Sequence, residues 1–345
     1  MKTVVAHAAQ DLRIEEREVP SPGPGEVLIK MARGGICGSD LHYFNHGGFG
    51  TVRLREPMIL GHEVSGYVEA LGEGVENLEI GTLVAVSPSR PCYSCKYSLE
   101  GNHNHCLNMQ FYGSAMPFPH IQGAFRELLV ADARQCAVAT GLSAGEAAMA
   151  EPLAVVLHAA KRAGDLMGKR VLVTGCGPIG QLAVMVARAA GAVEIVATDV
   201  TPFTLEMARK VGADATHNVA EDGDALTRYE DQKGHFDVLF ECSGVAAALA
   251  SAVPALRPGA VVMQLGLGGD MTLPMQAMTA KEIELRGSFR FHEEFFTAVK
   301  MMQAGRLDVS PLITHALPLE DAVVAFTLAS DRSQAIKAQI AFADG

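Results

Sequence analysis

The chain has 345 residues, 49% apolar and 19% charged, with a formal net charge of −11. That composition excludes a disordered chain and is long enough for two domains with separate cores. The acidic balance argues against nucleic acid or an anionic membrane surface as partner, since both repel it. No apolar run approaches the roughly 20 residues that span a bilayer. Met1-Lys2-Thr3-Val4-Val5 leads directly into strand-like alternation instead of a signal-peptide block. Cytoplasmic residence, with no nucleic-acid or membrane partner, is the expectation.

The first 90 residues read as short strands broken by turns, for example 27–31, 64–68 and 82–86, with Pro22-Gly23-Pro24-Gly25 punctuating the first. Residues 87–122 are polar and irregular, a length that calls for metal or tertiary packing to hold it. After about residue 143 the character changes. An Ala-rich helical stretch leads to a buried-strand pattern at 170–174, a glycine turn, a helix at 181–190 and a strand at 193–199. Further strands at 236–241 and 260–265 alternate with helical segments. That alternation specifies a parallel sheet covered by helices. Residues 282–290 read as a closing strand, 293–304 as a helix and 334–342 as a final strand that returns to the first domain.

Seven cysteines and no secretory signal argue for reduced thiols over a disulfide framework. Cys92, Cys95 and Cys106 crowd one polar loop, Cys37 stands apart, and Cys136, Cys176 and Cys242 read as small core residues.

The turn Gly175-Cys176-Gly177-Pro178-Ile179-Gly180 follows a strand, opens a helix and precedes an acid, Asp199, at the end of the next strand. Those are the contextual tests for a dinucleotide fingerprint. Gly175 permits the tight turn, Gly177 the approach of a pyrophosphate, and Gly180 close helix packing. Asp199 is suited to accept from the ribose hydroxyls, and its charge opposes a 2′-phosphate. NAD is therefore expected, with NADP left open because Arg209, Lys210 or a loop can still accommodate that phosphate.

Cys37 and His62, each taken alone, read equally well as ordinary packed residues. Together with Glu63 and Glu151 they offer a thiolate, an imidazole and carboxylates, which can hold Zn2+ with one position open for substrate. Glu151 lies in an apolar helical segment, where a charge needs compensation.

On these residues the chain resembles the medium-chain, zinc-dependent alcohol and polyol dehydrogenases over essentially its whole length. The resemblance implies a two-domain α/β protein: a chaperonin-10-like β catalytic domain (1–152 and 288–345) and a Rossmann-like parallel-sheet NAD-binding domain (153–287). By resemblance Cys37 and His62 are catalytic zinc ligands, Glu151 the acidic third ligand or water-holding group, and Glu63 an adjacent carboxylate that joins or supports the metal. Ser39 relays the proton, with His42 an outer member and Glu151 a rival route. Cys37-Gly38-Ser39-Asp40-Leu41-His42-Tyr43 and Gly287-Ser288-Phe289-Arg290-Phe291 resemble the sugar-acid and polyol branch, which places Tyr43, Arg290 and Phe291 at the substrate. Arginine holds a carboxylate bidentately; the resemblance implies a sugar acid oxidised at C5 as the first expectation and a sorbitol- or xylitol-type polyol as the second. A non-catalytic cofactor-binding protein is the alternative outside enzymes. The loop carrying Gly266 and Leu267 is expected to present backbone groups to the nicotinamide.

Family members carry a structural zinc on four cysteines. Here Cys92, Cys95 and Cys106 match three and Ser98 stands at the other, so either an altered site, which His103 or His105 could complete, or a metal-free lobe is expected. The resemblance also implies a homotetramer, with a homodimer second.

Overall fold

The computed structural model describes residues 1–342. The chain divides into two compact units. The first comprises Met1–Ala154, Phe291–Asp331 and the segment from Lys337; the second comprises Val155–Arg290 and Arg332–Ile336. Arg332–Ile336, read from sequence as part of the first domain, groups with the second.

Within the first unit, among the described residues, a seven-stranded sheet is built around the long strand Glu26–Gly35. Glu63–Leu71 and Leu128–Asp132 pair with it antiparallel, and so does the C-terminal strand Lys337–Ala341, which also runs parallel to Ile313–Pro318. Val27, Ile29 and Met31 alternate along the central strand and are fully buried, the period-2 pattern of a sheet with one face on a core. Their cluster includes Phe125, Phe326 and Ile340. The strand Lys337–Ala341 thus brings Ile340, from the far end of the sequence, into the core built by the first third.

The second unit holds a six-stranded parallel sheet whose order begins at Ala215–Asn218 and continues through Glu194–Asp199, Arg170–Thr174, Phe236–Glu241, Leu256–Gln264 and Glu284–Gly287. Strand order reverses direction at Arg170–Thr174, so the loops leaving that strand and Phe236–Glu241 diverge and open a crevice, where ligands bind in such sheets. Val171, Leu172, Val173 and Thr174 are consecutively buried, as a strand covered on both faces requires.

The elements expected from sequence are present with shifted ends: Glu26–Gly35 and Glu63–Leu71 are longer than expected, and the closing and final strands are shorter. The closing strand is Glu284–Gly287 and the final strand Lys337–Ala341. The irregular stretch 87–122 contains a two-residue strand pair, Ser89–Arg90 with Gln110–Phe111, and a single helical turn at Lys96–Leu99. Cys136 and Cys176 are buried; Cys242 is half-buried. No helix among the described residues is long and apolar enough to cross a membrane.

Candidate metal centre and dinucleotide site

Sheet register explains why Cys37 and His62 meet. Gly35, the last residue of the central strand, lies opposite Glu63, the first of its neighbour. The chain just beyond one strand and just before the other therefore runs side by side, carrying Cys37 and His62. On the other flank Gly35 pairs with Gln339, which brings Lys337 to the same end of the sheet. Among the described residues, ligand atoms of Cys37, His62 and Glu63 all lie within 4.8 Å of one another.

Asp40, in the first turn of the helix Gly38–His46, fixes both loops. Its carboxylate accepts from the Cys37 N–H at 3.1 Å and from the Gly61 N–H at 3.1 Å. Its Oδ1 is 3.8 Å from His62 Nδ1, too long for a hydrogen bond, and that nitrogen is buried without a partner among the described residues. A carboxylate behind a metal-binding imidazole selects which ring nitrogen faces the ion. Asp40 was legible only as part of a motif.

Lys337, which the sequence did not single out, is 2% exposed and donates to both oxygens of Glu63, at 2.8 and 2.6 Å, and to the Ile36 carbonyl at 3.1 Å. Burial pulls its ammonium down, but Glu63 and Cys37 outweigh burial and the net direction is up. Glu151, 5% exposed in the first turn of the helix Ala150–Ala163, stands outside the tight group of three. Burial pushes its carboxyl up to about 8, with His62 opposing and Glu63 and Cys37 reinforcing the shift. Burial likewise pushes the Cys37 thiol up to about 11, helped by Glu63. Three acidic groups, Cys37, Glu63 and Glu151, thus share a water-poor place with one ammonium. A divalent cation fits both this charge deficit and the mixed sulfur, nitrogen and oxygen donor set.

The other expected site residues of this unit are placed as follows. Ser39 and His42 are half-buried, one turn apart on the helix Gly38–His46. Tyr43 is 2% exposed, and its hydroxyl accepts from the Ala115 N–H at 3.1 Å. Phe291 is fully buried and stacked on Phe295, ring centroids 5.9 Å apart.

A second sulfur cluster lies in the irregular loop. Cys92 and Cys106 sulfurs are 3.4 Å apart, Cys95 and Cys106 sulfurs 3.9 Å, and the Ser98 hydroxyl is 3.4 Å from Cys95 Sγ. Backbone N–H groups of Cys95, Cys92 and Leu107 donate to these sulfurs. The Ser94 N–H and the Asn108 amide bring the Cys92 thiol down to about 5. Sulfurs so placed suit a soft or borderline cation. Ser98 is the oxygen beside the cysteines, whereas the His103 ring packs against Tyr93 and His292.

In the second unit, Gly175 has φ +82°, and a Cβ there would come within 2.7 Å of the Ser243 backbone, so the turn tolerates glycine alone. Gly177 caps the helix Pro178–Ala189, with Pro178 at its first position; Ile179 is half-buried. A Cβ on Gly180 would collide with the Gly175 carbonyl. The Asp199 carboxylate accepts from the N–H groups of Cys176, Val200 and Thr201 at 2.6, 2.7 and 3.0 Å, which ties the glycine turn to the end of the neighbouring strand. A carboxylate has about four acceptor positions, so capacity remains for a ribose hydroxyl. The Arg332 guanidinium lies at this turn, 2.7 Å from where a Gly177 Cβ would be; nothing in its local sequence marks it. Gly266 and Leu267 lie in the loop after Leu256–Gln264, with Leu267 exposed. Arg290 has φ +55°, and its guanidinium sits 4.9 Å from the Phe289 ring centroid.

Removing the Lys337 ammonium leaves the Glu63 carboxylate buried and unpaired. Lys337→Met is expected to lower the unfolding free energy of the metal-free protein by about 3–5 kcal/mol in denaturant titrations, with Lys337→Arg losing much less. Equal stability of all three proteins would mean that Glu63 needs no counter-ion.

Comparison with known proteins agrees with this geometry. The alcohol dehydrogenase GroES-like domain family model matches residues 23–143, and the zinc-binding dehydrogenase family model matches 178–304. The chain is 43% identical over 319 residues to L-idonate 5-dehydrogenase (NAD(P)(+)) of Escherichia coli K12, covering 92% of each. It is 37% identical over 328 residues to sorbitol dehydrogenase of Gallus gallus, covering 94% of this chain and 91% of that one. The crystal structure of L-idonate 5-dehydrogenase from E. coli K-12 superposes with a TM-score of 0.94 at 40% identity, over 99% of this chain and 98% of that one. With a GroES-like domain carrying the metal group and a Rossmann-like domain carrying the dinucleotide turn, the chain belongs to the medium-chain zinc-dependent alcohol dehydrogenase family and is a zinc- and NAD(P)-dependent dehydrogenase.

Proposed function

We propose that the enzyme transfers hydride between NAD and the C5 hydroxyl of L-idonate, giving 5-keto-D-gluconate. The observation that carries this reading is the full-length likeness to an L-idonate 5-dehydrogenase, joined to the Cys37, His62 and Glu63 group. When bound, zinc supplies a Lewis acid for the reacting oxygen, and the nicotinamide supplies or accepts the hydride.

The chain's own residues do the rest. Cys37, His62 and one carboxylate hold the ion. Glu63, clamped by Lys337, supports it, and Glu151 is the acidic group that binds or releases a proton beside it. Ser39 and His42, one turn apart on a helix face, carry the hydroxyl proton outward. Arg290 holds the substrate carboxylate, and Tyr43 is a further substrate contact. Asp199 orients the adenosine ribose and disfavours a 2′-phosphate, so NAD is preferred and NADP tolerated. Gly266 and Leu267 offer backbone groups to the nicotinamide. Cys92, Cys95 and Cys106 hold a second zinc with the Ser98 hydroxyl as fourth ligand. The enzyme works in the cytoplasm as a homotetramer, or failing that a homodimer. The open edge of strand Glu284–Gly287, with Leu285 and Phe289 exposed beside it, supports self-association. The second reading, a sorbitol- or xylitol-type polyol dehydrogenase, is favoured by the equally full-length likeness to sorbitol dehydrogenase.

Initial rates with NAD on L-idonate, D-sorbitol and D-gluconate separate these readings. Selectivity for L-idonate is expected, and Arg290→Ala should lower kcat/KM for it by about 10- to 100-fold, the value of a charge-assisted hydrogen-bond pair. Preference for D-sorbitol would sink the idonate assignment and leave the zinc chemistry intact.

Metal analysis of the purified protein should find two zinc ions per chain. Cys92→Ser should reduce this to one, and Ser98→Cys should slow loss of the second ion to a chelator. A wild-type content of one zinc, unchanged by Cys92→Ser, would mean the lobe folds without metal.

Zinc uptake at the Cys37 site should strengthen as pH rises through neutrality. The metal-free thiol sits at about 11 and the Glu151 carboxyl at about 8, so protons must leave as the ion enters. Calorimetry in buffers of different ionisation enthalpy should report release of about one proton or more per zinc at neutral pH. Proton-free uptake would remove Cys37 from the ligand set.

A further inference from the structure

Glu241, the last residue of the strand Phe236–Glu241, is fully buried, yet it lies in neither the metal group nor the glycine fingerprint. Its Oε1 accepts from the Ser243 N–H at 2.8 Å, from the Ser243 hydroxyl, from the Gly244 N–H at 3.1 Å and, at 3.5 Å, from the Thr174 hydroxyl. Its Oε2 accepts from the Gln264 amide at 2.6 Å and from the Gly244 N–H at 3.1 Å. Its main-chain carbonyl accepts from the N–H groups of Leu265 and Gly266, both at 2.9 Å. Gln264 also donates to the Gly266 carbonyl at 2.9 Å. A Cβ at Gly266 would come within 2.7 Å of Glu241 Oε2 and collide with the Gly244 backbone, so the two loops close on the carboxylate with no room to spare.

This one side chain therefore joins three strand ends: Thr174, where the fingerprint turn begins, Ser243-Gly244, and Gln264-Leu265-Gly266. All three leave the carboxyl edge of a parallel sheet, where dinucleotides bind. In a doubly wound sheet of this order, the half containing Arg170–Thr174, Glu194–Asp199 and Ala215–Asn218 takes one mononucleotide. The half containing Phe236–Glu241 and Leu256–Gln264 takes the other. Asp199 serves the adenosine half, and the loops that Glu241 gathers belong to the nicotinamide half. In each of these hydrogen bonds the side-chain oxygens of Glu241 accept.

We propose that Glu241 is a positioning residue for the nicotinamide half of the cofactor, locking the 242–244 and 264–266 loops into one cradle. The inference rests on the NAD reading above. The test compares wild type, Glu241→Gln and the milder Ser243→Ala as complete zinc-loaded enzymes. For each, ADP-ribose and NADH binding, kcat and the melting temperature are measured. ADP-ribose lacks the nicotinamide, so its dissociation constant should stay within about twofold in both variants. Glu241→Gln turns an amide donor toward other donors, and should weaken NADH about 10-fold or more and lower kcat by about 100-fold, as expected when a reacting group is misplaced by an ångström. Ser243→Ala should shift the same two quantities in the same direction by less, which keeps the test decisive if Glu241→Gln folds poorly. Equal weakening of ADP-ribose and NADH, or unchanged NADH affinity and kcat, would overturn the positioning role alone. A wild-type enzyme that binds neither ligand would overturn the NAD reading and this inference with it.

Discussion

The metal centre depends on keeping acidic groups close together where water is scarce. Burial pushes the Cys37 thiol and the Glu151 carboxyl up there, and Lys337 donates to both oxygens of Glu63. A buried carboxylate with its ammonium is only marginally favourable as a pair, but breaking it is expensive. The arrangement therefore gains little stability from the pair and much specificity from its geometry. Once Cys37 and Glu151 give up their protons, the negative charge left there needs a second cation, and a divalent metal meets that demand.

This requirement explains the path of the chain. Lys337 is nearly the whole sequence away from Cys37, yet the strand Lys337–Ala341 lies directly beside Glu26–Gly35. The same strand inserts Ala338 and Ile340 among the core residues of the first unit. One apolar strand thus serves packing and electrostatics together. The first unit cannot be completed by a local stretch of sequence, because a residue that neutralises Glu63 arrives with the last strand.

The nucleotide unit solves a comparable problem by different means. Its buried carboxylate, Glu241, is met by neutral donors from the loops around it, and Asp199 is met by three backbone N–H groups. These hydrogen bonds tie the glycine-rich turns to the strand ends. In one unit acidic groups await a metal; in the other they organise loops.

The sequence by itself determined the features governed by local rules. The glycine fingerprint, the buried-strand run at 170–174, the acid at the end of the next strand and the change from short strands to alternating helices and strands follow from backbone sterics and hydrophobic period. Cys37, His62, Glu63 and Glu151 were readable because their residue types are costly to bury without purpose, and family resemblance supplied what spacing could not. Lys337, Asp40, Glu241 and Arg332 emerged only from the tertiary structure. Their meaning lies in partners brought close by sheet pairing, such as Gly35 opposite Glu63 on one side and Gln339 on the other. Phe291 was read from its motif, and only the fold shows it fully buried beside Phe295. Ser98 was visible as a departure from four cysteines, and only folding put its hydroxyl beside Cys95 while turning His103 toward Tyr93 and His292. Periodicity and turn chemistry act over a few residues, whereas charge pairing and metal geometry depend on distances that only the folded chain sets.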